Sequence, residues 1–321
     1  MSDHKPITCL SLGGGVQSSA LLLLSMHGEI SRLDFSVFAD TQHEPRHTTT
    51  IDPENGSVIG GGVYGWIEWL GEQVDIPIHT VTQGDLIGKA TEVRLSARSG
   101  KTYIKGLVPA FMRQPGGKIG LLGRKCTLDY KIVPIRRFLR DAIGKERMRE
   151  WRRKHRSALK ELTAAKKAKL PTPIEAFSEC QSDPLVIQWI GISTDEASRM
   201  KDSVVPYIRN EHPLIDLGMS REDCKEWMRH RGYPDPPRSA CTGCPFHSDE
   251  EWLRLKQSPE DFASAVRWEE ELQAAAAQTP LDGVPFLHSS CKPINEVDFR
   301  GRAGYQQLSL FGNECEGLCG V

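Results

Sequence analysis

The chain has 321 residues, which is enough for one large α/β domain with an appended module. Its 39% hydrophobic and 26% charged residues are typical of a soluble globular protein, and a net charge of −1 excludes a global basic surface for nucleic acid. No apolar run is long enough to span a membrane, and residues 1–8 contain no apolar signal region. We therefore expect a cytoplasmic protein with no membrane partner. Its nine cysteines should then be metal ligands, redox groups or buried side chains rather than disulfides.

The N-terminal stretch predicts a strand, a glycine turn and a helix. A short apolar run over residues 7–12 precedes three consecutive glycines, and a second apolar run ends at Gly28. Glycines let backbone N–H groups approach a ligand, and a helix start adds unpaired donors and a positive dipole end. We predict an anion site for phosphate or pyrophosphate, with an ordinary tight turn as the alternative. Its residues would be Leu12, Gly13, Gly14, Gly15, Gln17, Ser18 and Ser19.

Two familiar phosphate-binding loops are excluded at this turn. It lacks the Gly-Lys-Ser/Thr of a Walker P-loop, and the third glycine of G-x-G-x-x-G is missing where the helix begins. The stretch instead resembles the PP-loop, S-x-G-G-x-x-S, of the ATP pyrophosphatase superfamily. That resemblance implies a loop that holds the pyrophosphate end of ATP.

Strands and helices alternate after this turn and predict a mostly parallel sheet. Strands are expected over residues 33–40 and 76–82, and residues 94–124 are expected to form an exposed loop near the ligand. Asp40 ends the second strand, where a carboxylate either meets a ligand in the sheet crevice or caps a turn. The stretch from Asp40 resembles the D-T-G-x-x-F-P-E-T of phosphoadenylylsulfate reductases, with Glu44–Pro45 and Thr48 at matching positions.

A third motif lies in residues 123–139, GRKCTLDYKIVPIRRFL, and resembles R-x-C-T-x-x-x-K-x-x-P of the same family. Arg124, Lys125 and Lys131 would bring cations to a phosphate-rich site, and Cys126 would bring a thiolate. Helical spacing places Lys131 about two turns from Arg124. The alternative is a basic surface helix with one buried cysteine.

Residues 145–169 are strongly basic, with eleven Lys or Arg and three Glu, and have high helix propensity. A solvated helical excursion, extending to about residue 170, is one interpretation. The other is a contact surface for the phosphate backbone of DNA or RNA. Trp151 would then stack on a base or, as an equal alternative, pack against the protein.

A buried strand is expected over residues 185–193, followed by TDEASR. Glu196 and Arg199 resemble the strand-end G-I-x-x-x-E-S-x-R that borders the nucleotide pocket of the family. A local ion pair in a helical turn is the alternative. Further on, Ser220 is expected to cap a helix, and Ser258 a second helix with a packing role.

Cys241 and Cys244 form a C-x-x-C flanked by prolines, a spacing that lets two thiolates bind one metal ion or cluster. Further ligands must come from elsewhere in the chain, and Cys126 and Cys224 are the candidates, with His247 added if the metal is zinc. We favour a [4Fe–4S] cluster on four cysteines over structural Zn²⁺ and over a metal-free redox pair. A three-cysteine cluster with one open iron is a variant. Cys315 and Cys319 suggest either a tail of no function or a mobile thiol pair.

The order of these motifs identifies the chain as similar to the phosphoadenylylsulfate reductase family of the PP-loop superfamily, nearest to the ATPase-like component of DNA phosphorothioation. The resemblance covers most of residues 7–250. It implies a Rossmann-like, adenine nucleotide alpha hydrolase-like parallel sheet with helices on both faces, over residues 1–219. A smaller, mostly helical cysteine module would occupy residues 220–321.

The same resemblance implies an ATP- and Mg²⁺-dependent pyrophosphatase that adenylates an acceptor, which sulfur then attacks. Ser18, Ser19 and Lys131 would be its catalytic residues. Nucleic acid, DNA or tRNA, would be the acceptor, and a protein such as a cysteine desulfurase the sulfur donor. A sulfonucleotide reductase that produces sulfite is the first alternative, and a non-catalytic nucleotide sensor that binds nucleic acid is the second.

Overall fold

The computed structural model describes residues 5–47, 50–51, 58–106, 108–123 and 125–300. In chain order the strands are β1 Ile7–Leu12, β2 Phe35–Asp40, β3 Thr50–Ile51, β4 Val58–Ile59, β5 Ile78–Thr82, β6 Arg94–Leu95, β7 Thr102–Tyr103, β8 Ala110–Arg113, β9 Ile119–Leu122, β10 Val186–Ile190, β11 Ile208–Glu211 and β12 Val284–Phe286. The helices are α1 Val16–Met26, α2 Gly62–Gln73, α3 Leu86–Ala90, α4 Val133–Ile143, α5 Lys145–Lys154, α6 Arg156–Ala168, α7 Ile174–Gln181, α8 Pro213–Asp216, α9 Arg221–His230, α10 Asp249–Lys256 and α11 Pro259–Ala277. Thr127–Ile132 is π-helical, and Thr194–Arg199 and Ile294–Glu296 are 3₁₀ turns.

The main sheet has five parallel strands in the order β11-β10-β1-β2-β5. The prediction of an α/β fold with a parallel, Rossmann-like sheet is confirmed. From β1 the chain moves outward to β2 and β5 on one side, and later to β10 and β11 on the other. The strand order therefore reverses between β1 and β10, and open α/β sheets bind ligands beyond the carboxyl ends of strands at such a point.

Helices cover both faces of this sheet because alternate side chains of a strand point to opposite faces. Leu10 and Leu12 of β1 pack with α1, α2 and α9, whereas Cys9 packs on the other face with α4 to α7. β2 divides in the same way, with Phe38 on the first face and Val37 on the second. The central strands β1, β2 and β10 are accordingly mostly apolar, as parallel strands covered on both faces are, with Ser11, Ser36 and Gln188 among the buried polar exceptions.

The described residues between 94 and 123 are mostly exposed or half-buried, as predicted, but the prediction of a loop there is wrong. This part of the chain forms two hairpins, β6–β7 and β8–β9, and β12 extends the second hairpin to three antiparallel strands. Ala110 and Met112 are buried on one side of β8, and the turn from β8 to β9 contains Gly116 and Gly117, both with positive φ. The many Gly, Lys and Arg residues obscured these short alternating strands, and β8 has a further, distant partner in β12, where Val284 lies opposite Arg113.

The C-terminal helices complete two of the three hydrophobic cores. Helix α9 packs on α1 beneath the main sheet, and α10 and α11 share a core with residues between 86 and 130. Trp252 and Trp268 of these helices pack with Ala110 and Tyr130 in that core. The proposed division of the chain between residues 219 and 220 stays a prediction.

Two predicted helix starts are found where they were expected. Ser220 forms a capping box with Asp223 at the start of α9. Ser258 occupies the N-cap position of α11, but its hydroxyl donates to the Asp261 carboxylate instead of accepting from the backbone. No helix in the described part of the chain combines the length and the apolar character needed to cross a membrane.

Candidate functional site

The glycine turn between β1 and α1 provides no side-chain cap for the start of the helix. Gly14 has φ +76°, and a Cβ there would lie 3.0 Å from Val63 Cγ1, so a side chain would be both strained and crowded. Gly15 is the N-cap and has no side chain with which to cap the helix, and the first turn of α1 contains no acidic residue. Neither a capping side chain nor an acidic residue thus offsets the helix's positive end, and anion binding there stays a prediction.

The turn is held against the segment that follows β10. A Cβ on Gly191 would lie 2.9 Å from the Ser18 nitrogen, so only glycine permits this approach. The Gln17 amide donates to Ser193 Oγ at 3.3 Å and to Glu196 Oε2 at 3.1 Å. The glycine turn and the Glu196 segment thus meet where the strand order reverses.

The two serines of the turn have different partners. Ser18 Oγ accepts from the Gly13 N–H at 3.1 Å and contacts the Gly15 carbonyl at 3.3 Å, so it shapes the turn itself. Ser19 is fully buried, and its Oγ accepts from the Trp66 indole N–H at 2.9 Å. The structure therefore places the Ser18 hydroxyl in the turn and the Ser19 hydroxyl in the core against α2.

Glu196 and Arg199 form the ion pair that was the alternative for this segment, with Arg199 Nη1 2.5 Å from Glu196 Oε1. Burial raises the pKa of Glu196, and the Arg199 charge only partly opposes this effect. Arg221 lies close enough for its charge to act on Glu196 and Arg238. Several guanidinium groups thus lie near the first turn of α1.

Asp40 lies at the carboxyl end of β2 and holds the turn that follows. Its Oδ1 accepts from the Gln42 N–H and from the Tyr64 hydroxyl, both at 2.7 Å. Burial, together with the hydrogen bond to Asp40, raises the pKa of Tyr64. The structure shows the turn-forming role of Asp40, and its role toward a ligand stays a prediction.

The loop after β2 is joined to the C-x-x-C loop. Thr41 Oγ1 lies 3.2 Å from Cys241 Sγ, and the Thr242 N–H donates to the His43 carbonyl at 2.8 Å. Ser239 also approaches the glycine turn, since a Cβ on Gly15 would lie 3.9 Å from Ser239 Cβ. Two residues span at most about 7 Å, so Cys241 is close to both loops.

Glu44 and Lys131 form a buried ion pair beside Cys241. The Lys131 ammonium donates to Glu44 Oε1 at 3.3 Å, and the two side chains are 10% and 0% exposed. Cys241 Sγ lies 3.9 Å from the same oxygen, and Glu44 Oε2 is buried without a hydrogen-bond partner. No chemical role was predicted for Glu44, because nothing local in the sequence indicates its approach to Cys241.

Lys131 owes its position to an unusual helix. Residues 127–132 are π-helical before α4 continues in regular form. A π-helical turn shifts the side chains that follow it relative to a regular helix and often marks a functional site. Here the π-helical turn places Lys131 in the buried pair with Glu44. The predicted contact of Lys131 with a nucleotide phosphate stays a prediction.

Three of the four predicted cysteine ligands line one cavity. Cys126, Cys241 and Cys244 lie in its wall with Thr41 and Lys131. In the described ranges, no three His, Cys, Asp or Glu side chains already surround a common point as metal ligands do. The cavity therefore collects the thiols without arranging them as a finished metal site.

Cys224 lies elsewhere, in the core between α9 and the main sheet, and is fully buried. Burial, followed by the charge of Asp195, raises the pKa of its thiol to about 12. His247 Nε2 lies 3.0 Å from the Cys241 carbonyl, so this ring supports the turn of the C-x-x-C. The structure does not bring Cys224 to the other three cysteines.

The basic segment forms α5 and α6, and its tryptophan packs inside the protein. Trp151 is 4% exposed, and its indole N–H donates to the Asp183 carbonyl at 2.7 Å. The packing alternative for Trp151 is confirmed, and a base cannot stack on it. Arg156, Lys160 and Lys167 line a groove on the outer side of α6.

Some predicted residues lie outside the described part of the chain. They are Thr48, Arg124, Cys315 and Cys319.

Comparison with known proteins does not identify a family for this chain. No protein-family model, no curated protein and no solved structure matches the chain.

Proposed function

We propose that the chain is an adenylating ATP pyrophosphatase of the PP-loop type that takes part in sulfur transfer. Its sheet would then be of the adenine nucleotide alpha hydrolase-like kind, and its relatives the phosphoadenylylsulfate reductase family. The observation that carries the proposal is the closeness of a glycine turn after β1, whose helix start has no side-chain cap, to a thiol-lined cavity at the end of the neighbouring β2. The loop that contains Ser239 and Cys241 connects the two.

The glycine turn supplies the nucleotide half of this chemistry. Backbone N–H groups at the start of α1 point to where the pyrophosphate of ATP would leave, and such fixed donors stabilise developing negative charge. Mg²⁺ would neutralise part of that charge. Asp40 and Glu196 are the nearby carboxylates, and Arg199 is the cation already paired there.

The thiol cavity supplies the sulfur half. Cys126, Cys241 and Cys244 fit a thiolate-bound metal group because they line one cavity and because the buried Glu44 Oε2 beside them lacks a partner. A [4Fe–4S] cluster bound there would hold or deliver sulfur, and Zn²⁺ would instead stabilise the fold. The three-cysteine variant accords with this cavity better than a set that includes Cys224.

The proposed acceptor is a nucleic acid, either DNA or tRNA. The exposed basic residues of α5 and α6 provide a local positive surface on a chain whose net charge is −1. Contacts from such residues to phosphates need no base stacking, so the burial of Trp151 leaves the proposal intact. A cysteine desulfurase would be a suitable sulfur donor.

The test is pyrophosphate release from ATP and Mg²⁺ by anaerobically purified protein, with and without DNA or tRNA. We expect Ser18→Ala to lower the rate, because the Ser18 hydroxyl shapes the turn whose backbone donors would stabilise the leaving pyrophosphate. Ser25→Ala is the matched control, because Ser25 is also buried on α1 but bonds the Ser31 carbonyl away from the turn.

Other outcomes would replace the proposal. Release of sulfite from adenylylsulfate, without pyrophosphate release from ATP, would establish the reductase. Nucleic acid binding without either activity would establish a non-catalytic sensor.

A further inference from the structure

We propose that Glu44 is an oxygen ligand of a metal centre whose other protein ligands are Cys126, Cys241 and Cys244. This inference rests on the sulfur half of the proposed function, since it names the fourth protein ligand of that site. It replaces Cys224, which sequence analysis placed in the set.

The first reason is the state of the Glu44 carboxylate. The side chain is 0% exposed, and Oε2 has no hydrogen-bond partner. A buried carboxylate oxygen without a partner costs free energy, so its presence calls for a specific explanation such as an ion. Oε1 accepts one hydrogen bond from Lys131, so lone pairs on both oxygens are left for an ion.

The second reason is the separation between Glu44 and Cys241. Metal–sulfur bonds of about 2.3 Å and metal–oxygen bonds of about 2.0–2.2 Å at a tetrahedral angle place the two ligand atoms about 3.5–3.7 Å apart. Cys241 Sγ and Glu44 Oε1 are 3.9 Å apart. For a single ion such as Zn²⁺, a shift of a few tenths of an ångström, or a turn of the carboxylate, brings both atoms to the same metal.

The third reason is charge. Three thiolates and a carboxylate around a divalent metal carry an excess of negative charge, and the Lys131 ammonium beside Glu44 offsets part of it. Ligating carboxylates are themselves commonly held by a hydrogen bond from a neighbouring group, which Lys131 provides here. Binding of the metal would draw the thiols of Cys126 and Cys244 toward Cys241, because the described ligand atoms do not yet surround one point.

The experiment measures metal directly. Full-length wild type, Glu44→Gln, Glu44→Cys, Cys224→Ala and Cys241→Ser are reconstituted anaerobically with ferrous iron and sulfide, and separately with Zn²⁺ alone. Iron and zinc per chain are then measured after competition with a chelator. We expect Glu44→Gln to weaken metal retention by at least about tenfold, Glu44→Cys to restore it, and Cys224→Ala to match wild type.

Thermal unfolding of each variant shows whether it is folded, and Glu44→Cys tests ligation even if Glu44→Gln unfolds. Retention by Glu44→Gln equal to that of wild type would overturn the inference, as would loss of metal in Cys224→Ala to the extent seen in Cys241→Ser. A wild-type chain that binds neither metal would overturn it as well. Pyrophosphate release is assayed on the same samples, so failure of the metal site and failure of the nucleotide half are separate results.

Discussion

Lys131→Met should destabilise the protein far more than the loss of an ordinary lysine. In the folded chain the Lys131 ammonium lies 3.3 Å from Glu44 Oε1, and both side chains are almost wholly removed from water. Methionine keeps the length and apolar stem of lysine but removes the charge. Glu44 then remains buried beside Cys241 with neither oxygen paired to a cation.

The expected cost follows from this geometry. Two unit charges 3.3 Å apart attract each other by about 5 kcal/mol at an effective dielectric constant of 20. Removal of one partner of a buried pair costs about 3–5 kcal/mol, because the remaining charge has lost both its water and its partner. The double variant Lys131→Met, Glu44→Gln buries no charge at this point and should recover at least about 2 kcal/mol of that loss.

The assay is urea unfolding of wild type, the two single variants and the double variant, in the presence of a chelator to remove bound metal. Lys89→Met is the matched control, since Lys89 pairs with Glu92 at 3.6 Å on the exposed surface and should cost less than about 1 kcal/mol. A cost for Lys131→Met no larger than that of Lys89→Met would refute the reasoning. So would a double variant no more stable than Lys131→Met alone.

Three further predictions concern the glycine turn, the basic surface and a buried carboxylate. Gly14→Ala should lose about 1–2 kcal/mol of stability in urea unfolding, because φ is +76° there, and should impair nucleotide binding; an unchanged midpoint would contradict this. Charge reversal at Arg156, Lys160 and Lys167 should weaken DNA or tRNA binding and reduce its salt slope by up to about 3, and an unchanged slope would count against that surface. Burial raises the pKa of Glu196. Between the ordinary glutamate pKa and the raised one, the folded chain keeps a proton that the unfolded chain has lost. The free energy of unfolding therefore falls as the pH rises through this window. The stability advantage of Glu196→Gln over wild type should therefore grow across that pH window, and a constant difference would show that the pKa is not raised.

Features set by neighbouring residues could be predicted from the sequence. The first strand was predicted over the residues that form β1, and the glycine turn and α1 follow directly. The strand expected over residues 185–193 is found as β10 Val186–Ile190, shorter at both ends. Apolar runs and consecutive glycines act within a few residues, so local pattern was sufficient in these places.

Features that depend on distant partners were not predictable. Glu44 and Lys131 are 87 residues apart, and Glu44 and Cys241 are 197 apart, so no spacing in the sequence joins them. Cys224 and Cys126 looked equivalent as ligand candidates, yet the amphipathic register of α9 turns Cys224 into the core with Met228. Only the packed fold distinguishes a buried thiol from one that lines a cavity.

The C-terminal helices help to position the candidate site and are more than an appended module. Asp261 near the start of α11 accepts from the backbone N–H groups of Arg46 and His47, at 3.0 and 2.9 Å. These hydrogen bonds hold the far end of the loop that begins at Thr41, and Thr41 contacts Cys241. The loop that carries Glu44 is thus fixed at one end by β2 and at the other by α11. Glu44 therefore depends on both parts of the chain for its position. It lies between the carboxyl edge of the main sheet and the thiols, and neither the sheet nor the C-terminal helices alone would hold it against Lys131.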